Sequence, residues 1–367
     1  MPKYFTDATK RIKLIRNVCL EADTLQATAC LAPGQKAPPT KHLTNNFALQ
    51  GAACDEADDD FRPGLTWLVD ASHAGVRSWS NINHWSETVF PFFNAIYALR
   101  NAGVELPPLA QVAMYQVPSE DELMAPRGLK TEWYHDTLAA AVLYQNNATA
   151  AGGKVLRGAA APMYAPDFAG KSVCFADVVT VVVDTIAPRF YTAAAARAHR
   201  SNVFRYLGMP QAAWDATRTR WASLLFRTTD RVILNEEELA DGLREELKPL
   251  GLQLRTYVLG AALPFKEQME LYGSTRLLIS YHGAQLTNVA FMMDDAAVIE
   301  IFNCRHFADT YERTALESGL VYFAARPTKA GCEVPSPKRH AVGNLNRSVP
   351  IDEITPILGK VKRKLRL

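Results

Sequence analysis

Hydrophobic and polar positions along this chain change period repeatedly, and each change marks an element. Residues 11–20 alternate apolar and polar side chains as a half-buried strand does, and polar residues follow. Residues 31–64, rich in Pro, Gly, Asp and Ala, read as loop. Residues 65–70 form a short apolar strand. A helix opens at 81–90, and Phe92, Phe93, Ile96, Tyr97 and Leu99 carry its spacing past Pro91, so the aromatic stripe belongs to a core. The pattern then predicts a strand at 111–117, a helix at 132–144, a surface excursion at 148–170 and a β-branched strand pair at 172–183. An Ala- and Arg-rich helical stretch at 192–220 leads onward.

The second half has a cleaner rhythm. Strands are predicted at 224–226, 252–259, 277–279 and 298–302, and helices at 236–247 and 264–272 alternate with them. A run of βα units implies a parallel sheet, and ligands of such sheets bind beyond the carboxyl ends of the strands. The fold class is α/β with two lobes. The expected division is an N-terminal acceptor-side lobe at 1–205, a C-terminal nucleotide-sugar-binding lobe at 206–345, and a helix with a basic tail at 346–367.

Composition narrows the options. The chain has 367 residues, is 48% hydrophobic and carries a formal net charge of +2, which suits two cored lobes and gives no reason to expect nucleic acid as a partner. No apolar run approaches the roughly 18 to 20 residues that span a bilayer. Cys19, Cys30, Cys54, Cys174, Cys304 and Cys332 lack any metal-ligand spacing; their even number permits disulfides without requiring them. Asp58, Asp59 and Asp60 sit in a polar loop and are read as solvated charge, so no metal site is expected. Sequons begin at Asn147 and Asn346.

Candidate chemistry clusters in two places. After the apolar strand at 277–279, His282, Gly283 and Ala284 form a tight turn that opens a helix running through 291–293. Glycine admits close backbone approach, and the first amides of a helix attract an anion such as a diphosphate. Arg227 and Glu300 fall at other strand ends, where a guanidinium can fork onto phosphate oxygens and a carboxylate can accept from ribose hydroxyls. In the first half, His84 and Glu87 are three residues apart on one helix face, where an imidazole and a carboxylate can tune each other's basicity. The same pair also suits a helix-start cap.

The segments 226–227, 231–235, 265–268, 282–288 and 298–301 resemble, in order and spacing, the motif set of glycosyltransferase family 61, a family of xylosyl- and N-acetylglucosaminyltransferases. Residues 17–20, 81–84 and 173–175 are similar to its looser first-lobe signatures, so the resemblance runs over about 11–305. It implies a GT-B type fold, two Rossmann-like lobes facing a central cleft. It also implies an inverting enzyme, without cofactor or metal, that moves xylose or N-acetylglucosamine from a UDP-sugar to a glycan or glycoprotein hydroxyl. Donor binding falls to Arg227, Arg231, Asn235, His282, Gly283, Ala284, Gln285, Leu286, Thr287, Asn288 and Glu300, and the base to His84 or Glu87. The resemblance further implies the lumen of the Golgi or endoplasmic reticulum, with membrane attachment only through an anchor missing from this chain. Two positions depart from the family: Gln285 stands where its turn commonly has a second glycine, and Glu87 where many members have Asp. A protein of this fold that binds nucleotide or glycan without turnover is the alternative. A Rossmann epimerase or dehydrogenase is disfavoured because neither a GxGxxG fingerprint near the start nor a Tyr-x-x-x-Lys pair is present.

Overall fold

A computed structural model describes residues 12–21, 23–31, 36, 47–52, 61–70, 72–73, 76–77, 81–104, 106–115, 117–119, 121, 132–147, 160–181, 190, 192–209, 220–228, 231–258, 263–303, 308–327 and 346–367. They form two compact units, one of Met1–Tyr191 with Arg205–Gly208 and one of Thr192–Phe204 with Met209–Leu367. The helix at 192–204, read from sequence as part of the first lobe, is thus counted with the second unit. Among the described residues no helix is long and apolar enough to cross a membrane.

The first unit contains strands β1 (Ile12–Glu21), β2 (Gln26–Cys30), β3 (Ala48–Ala52) and β4 (Phe61–Asp70), a small hairpin of β5 (Ser72–His73) and β6 (Val76–Arg77), helix α1 (Ile82–Asn101), strand β7 (Leu109–Tyr115), helix α2 (Trp133–Gln145), and strands β8 (Ala161–Met163) and β9 (Ser172–Val181). Its sheet has the order β3-β2-β1-β9-β4-β7-β8. The run β9-β4-β7-β8, which ends at the edge strand β8, is parallel, while β1 runs antiparallel to both β2 and β9. The sheet is therefore mixed, with its antiparallel pairs confined to β1. The predicted strand pair at 172–183 is one ten-residue strand as far as 181, and the expected excursion at 148–170 holds β8 within its described part. The aspartates at 58–60 lie outside the described residues.

Helix α1 starts at Asn81, whose side chain accepts from the Asn83 amide, and passes Pro91 without ending. Trp85, Phe90, Phe92 and Phe93 on it are fully buried, with the Phe92 ring stacked on Trp67 of β4 at 3.6 Å. Each such ring removed from water stabilises the unit by about 1.5 to 3 kcal/mol. Cys19 and Cys174 are direct partners in the β1–β9 register and form a disulfide across 155 residues of sequence. Cys30 is disulfide-bonded as well.

The second unit begins with helix α3 (Ala193–Tyr206), which runs past its limit by two residues, and continues with β10 (Trp221–Phe226), α4 (Glu236–Leu247), β11 (Gln253–Val258), α5 (Phe265–Gly273), β12 (Leu277–Tyr281), a 3-10 helix at Ala284–Phe291, β13 (Ala297–Ile301), α6 (Thr310–Glu317), β14 (Val321–Ala325) and α7 (Ile351–Leu365). The sheet order is β11-β10-β12-β13-β14, parallel throughout. Alternate strand residues Leu277, Ile279, Tyr281, Ile299 and Ile301 join Leu239, Leu243, Ile354 and Leu358 in one core, so α4 and α7 cover that face. The C-terminal helix is built into this unit, with Ile354, Ile357, Leu358 and Val361 of its apolar stripe packed into that core. The polar and charged positions Ser223, Ser280 and Glu300 alternate with that set and face the other side.

Candidate donor site

Sheet order reverses between β10 and β12: the strand that follows β10 in sequence lies on its outer side, and β12 on its inner side. In open α/β sheets the connections part at such a point and leave a crevice beyond the strand ends. Two loops border it. Arg227 follows β10 directly, and 282–285 follow β12; Leu225 pairs with Ser280, and the same register two residues on sets Arg227 level with His282.

These side chains interlock. Arg227 Nη1 donates to Gln285 Oε1 at 2.7 Å, and Gln285 Nε2 donates to the Tyr281 carbonyl at 3.0 Å and to Ser280 Oγ at 3.3 Å. Gly283 lies directly beneath. Its φ of 169° and ψ of 168° are extended values open to any residue, so conformation does not demand glycine there. A Cβ would stand 2.5 Å from both Arg227 Nη1 and Gln285 Oε1, so any other residue would displace the ends of these two side chains. The glycine inferred from sequence to admit a ligand admits this arginine–glutamine pair.

The helix after the turn is 3-10 in character rather than the regular helix predicted, and it ends at Phe291. Ala284 and Gln285 are partly exposed, whereas Leu286, Thr287 and Asn288 are buried. Asn288 Nδ2 donates to Gln268 Oε1 at 3.1 Å, and Tyr272 donates its hydroxyl to the Gln285 carbonyl at 2.7 Å. Residues 286–288, expected to bind donor, thus anchor the turn to α5 and the interior. Its accessible part is Ala284 and Gln285.

His282 is held by a buried network. Its Nδ1 is 2.5 Å from Glu300 Oε1, and the Tyr322 hydroxyl donates to Glu300 Oε2 at 2.6 Å. Burial, reinforced by the charge of Glu300, pushes the Tyr322 phenol up, so the phenol keeps its proton and donates. A carboxylate only accepts, which places the imidazole proton on Nδ1. The ring packs against Phe302 and Tyr311, with centroids 5.4 Å and 5.3 Å away. Glu300 was expected to accept from ribose hydroxyls, but it is fully buried with both oxygens engaged. Its geometry is that of a group that orients His282. Sequence reading missed Tyr322 altogether.

Two further arginines approach. Arg231 has a left-handed φ of 56° and donates from Nη1 to the His282 carbonyl at 3.1 Å. Arg347, also missed, donates from Nε to the Phe302 carbonyl at 3.1 Å and grips Glu353 through both terminal nitrogens at 3.0 Å and 2.8 Å. Burial pushes the Tyr281 phenol up to about 12, while the charges of Arg347 and Arg231 pull the other way. Asn235 does not join the cluster's polar surface. It binds the backbone of Val349, accepting from its amide at 2.7 Å and donating to its carbonyl at 3.2 Å, and so ties the C-terminal segment to the start of α4.

In the first unit His84 and Glu87 meet as their spacing required, with Nδ1 3.1 Å from Oε2. Asn83 Nδ2 donates to the other Glu87 oxygen at 3.4 Å. The side chains are 30% and 11% exposed, so the imidazole is open to solvent.

Residues 130–299, which contain α2 and every strand of the switch point, match the family model described as Glycosyltransferase 61. The likeness is to glycosyltransferase 61. The chain is 33% identical over 108 residues to the EGF domain-specific O-linked N-acetylglucosamine transferase of Canis lupus familiaris, covering 29% of this chain and 20% of that protein. It is 31% identical over 166 residues to the protein of that name from Drosophila melanogaster, 42% of this chain and 31% of the relative, and 31% identical over 157 residues to that of Gallus gallus, 39% and 28%. The matched stretch is thus less than a third of each relative's length.

Proposed function

We propose that this chain is an inverting glycosyltransferase whose second unit binds a UDP-sugar at the switch point between β10 and β12. The observation that carries the reading is the Arg227 guanidinium fixed over the Gly283–Gln285 turn, beside His282 and Arg231. A leaving diphosphate gains negative charge as its bond to the anomeric carbon breaks, and fixed cations and helix-start amides are worth most where charge develops. Arg227 is the principal phosphate ligand. His282, held by Glu300 through Nδ1, presents its other nitrogen as an acceptor for a hydroxyl of the donor. No metal enters this reading, because the Arg227 and Arg231 guanidinium groups supply the positive charge.

In the transfer step the acceptor hydroxyl gives its proton to a base while its oxygen attacks the anomeric carbon. UDP leaves with the bonding pair from the opposite face, so the configuration inverts. The base is assigned to His84 or Glu87, which share a hydrogen bond in the first unit. We read the two units as the lobes of a GT-B enzyme. The relatives' names favour N-acetylglucosamine over xylose as the sugar and a protein hydroxyl as acceptor. The Cys19–Cys174 disulfide and the sequons support an oxidising secretory compartment.

The test is UDP release with UDP-N-acetylglucosamine, UDP-xylose and UDP-arabinose, with and without peptide acceptors and with EDTA. Turnover is expected with UDP-N-acetylglucosamine and unchanged by EDTA. UDP binding without turnover on any donor and acceptor would instead fit a nucleotide-binding protein.

A further inference from the structure

We infer that Gln285 is a positioning residue that locks the Arg227 guanidinium in place for a nucleoside diphosphate. The inference rests on the donor-site reading above and adds a residue whose effect is exerted through another.

The orientation of the Gln285 amide is dictated by its surroundings. Its nitrogen faces the Tyr281 carbonyl at 3.0 Å and Ser280 Oγ at 3.3 Å, and a carbonyl can only accept. The amide oxygen must then point the other way, where Arg227 Nη1 meets it at 2.7 Å. The backbone of residue 285 is pinned in turn by the Tyr272 hydroxyl, which burial keeps protonated and which donates to its carbonyl at 2.7 Å. Gly283 leaves the space in which the pair sits. Tyr272 and Arg227 thus both donate to Gln285, whose side-chain nitrogen donates in turn to Tyr281 and Ser280.

The chemistry of the acceptor matters. An arginine has several torsions to freeze when it grips phosphate, and that cost falls on binding unless something has frozen them first. A carboxylate at 285 would also hold the guanidinium, but it would neutralise the charge that the phosphates need and would face the Tyr281 carbonyl with like polarity. A neutral amide holds the group and leaves its charge intact. The turn therefore exchanges the freedom of a smaller residue for a fixed cation.

The experiment is calorimetric titration of UDP and of uridine into the wild type, Gln285→Met, Arg227→Ala and the double variant. Methionine keeps the length of the side chain and removes all three of its hydrogen bonds. Gln285→Met is expected to weaken UDP about tenfold, as loss of a hydrogen bond to a charged group does, and to leave uridine within about twofold. On the Arg227→Ala background it should cost UDP nothing further. Gln285→Gly repeats the comparison should the methionine variant fail to fold. Wild-type UDP affinity in Gln285→Met, an equal loss for uridine, or an undiminished loss without Arg227 would overturn the inference while leaving Arg227 as a phosphate ligand. A wild type that binds UDP no better than uridine would overturn the donor-site reading and this inference with it.

Discussion

Two of the histidine–carboxylate pairs among the described residues differ in almost every respect. His84 and Glu87 lie three residues apart on one helix, and their meeting follows from helical geometry alone. His282 and Glu300 are 18 residues apart, joined because β12 and β13 are parallel neighbours in which Ser280 faces Glu300. The first imidazole is open to water. The second is packed between rings, and its carboxylate is fully buried with Tyr322 on the far oxygen. On the proposed reading the first pair supplies a base, which must exchange protons with what it serves, whereas the second lines a binding site and must not move. Exposure suits the first pair to proton transfer, and a threefold network suits the second to orientation.

The largest expected effect separates the two roles. Replacing the true base among His84 and Glu87 by Ala should lower kcat by about 10² to 10⁴, with UDP affinity unchanged in the same titration. Equal losses in kcat and UDP affinity would erase the distinction. Arg227→Ala, on the donor side, should cost about 2 to 4 kcal/mol of transition-state stabilisation, a hundredfold or more in rate. Single-turnover transfer measures it directly.

Tyr322→Phe sharpens the comparison at the buried pair. It leaves one oxygen of a buried carboxylate without its donor, and urea unfolding should show a loss of about 2 to 3 kcal/mol. Removal of the Asn83 amide, a longer 3.4 Å contact to the part-buried Glu87, should cost less. A third histidine extends the series to the smallest effect. Burial lowers His199 to about 3, against 6.5 when unfolded. Between these values the unfolded chain binds the extra proton, so the histidine destabilises the fold progressively as pH falls below about 6.5. The loss between pH 7 and 5 should approach about 2 kcal/mol in wild type and vanish in His199→Leu, as pH-dependent urea midpoints would show.

Much of the second unit was legible because its signals are local. An apolar run before a glycine turn and a run of βα patterns located β12, Arg227 and the 282–285 turn. What stayed hidden depends on register between distant segments. Glu300 looked like a surface acceptor because sequence does not reveal that Tyr322 stands beside it on β14, a strand whose partly exposed residues give little apolar contrast. Asn235 and residues 286–288 matched a motif, but their partners, Val349 and Gln268, lie 114 and 20 residues away. The Cys19–Cys174 bond needed the antiparallel β1–β9 register, which the alternation at 11–20 does not specify. The turn after β12 was read as a regular helix since 3-10 and α share their first-turn residues.

The central claim is that cations gathered at the β10–β12 switch point grip a diphosphate. Thermal unfolding of the wild type and Arg227→Ala, each with saturating UDP or uridine, tests it most directly. The account predicts that UDP raises the wild-type midpoint well above the uridine value and that this excess disappears in Arg227→Ala. Equal shifts from UDP and uridine in the wild type, or an undiminished UDP excess in the variant, would contradict it.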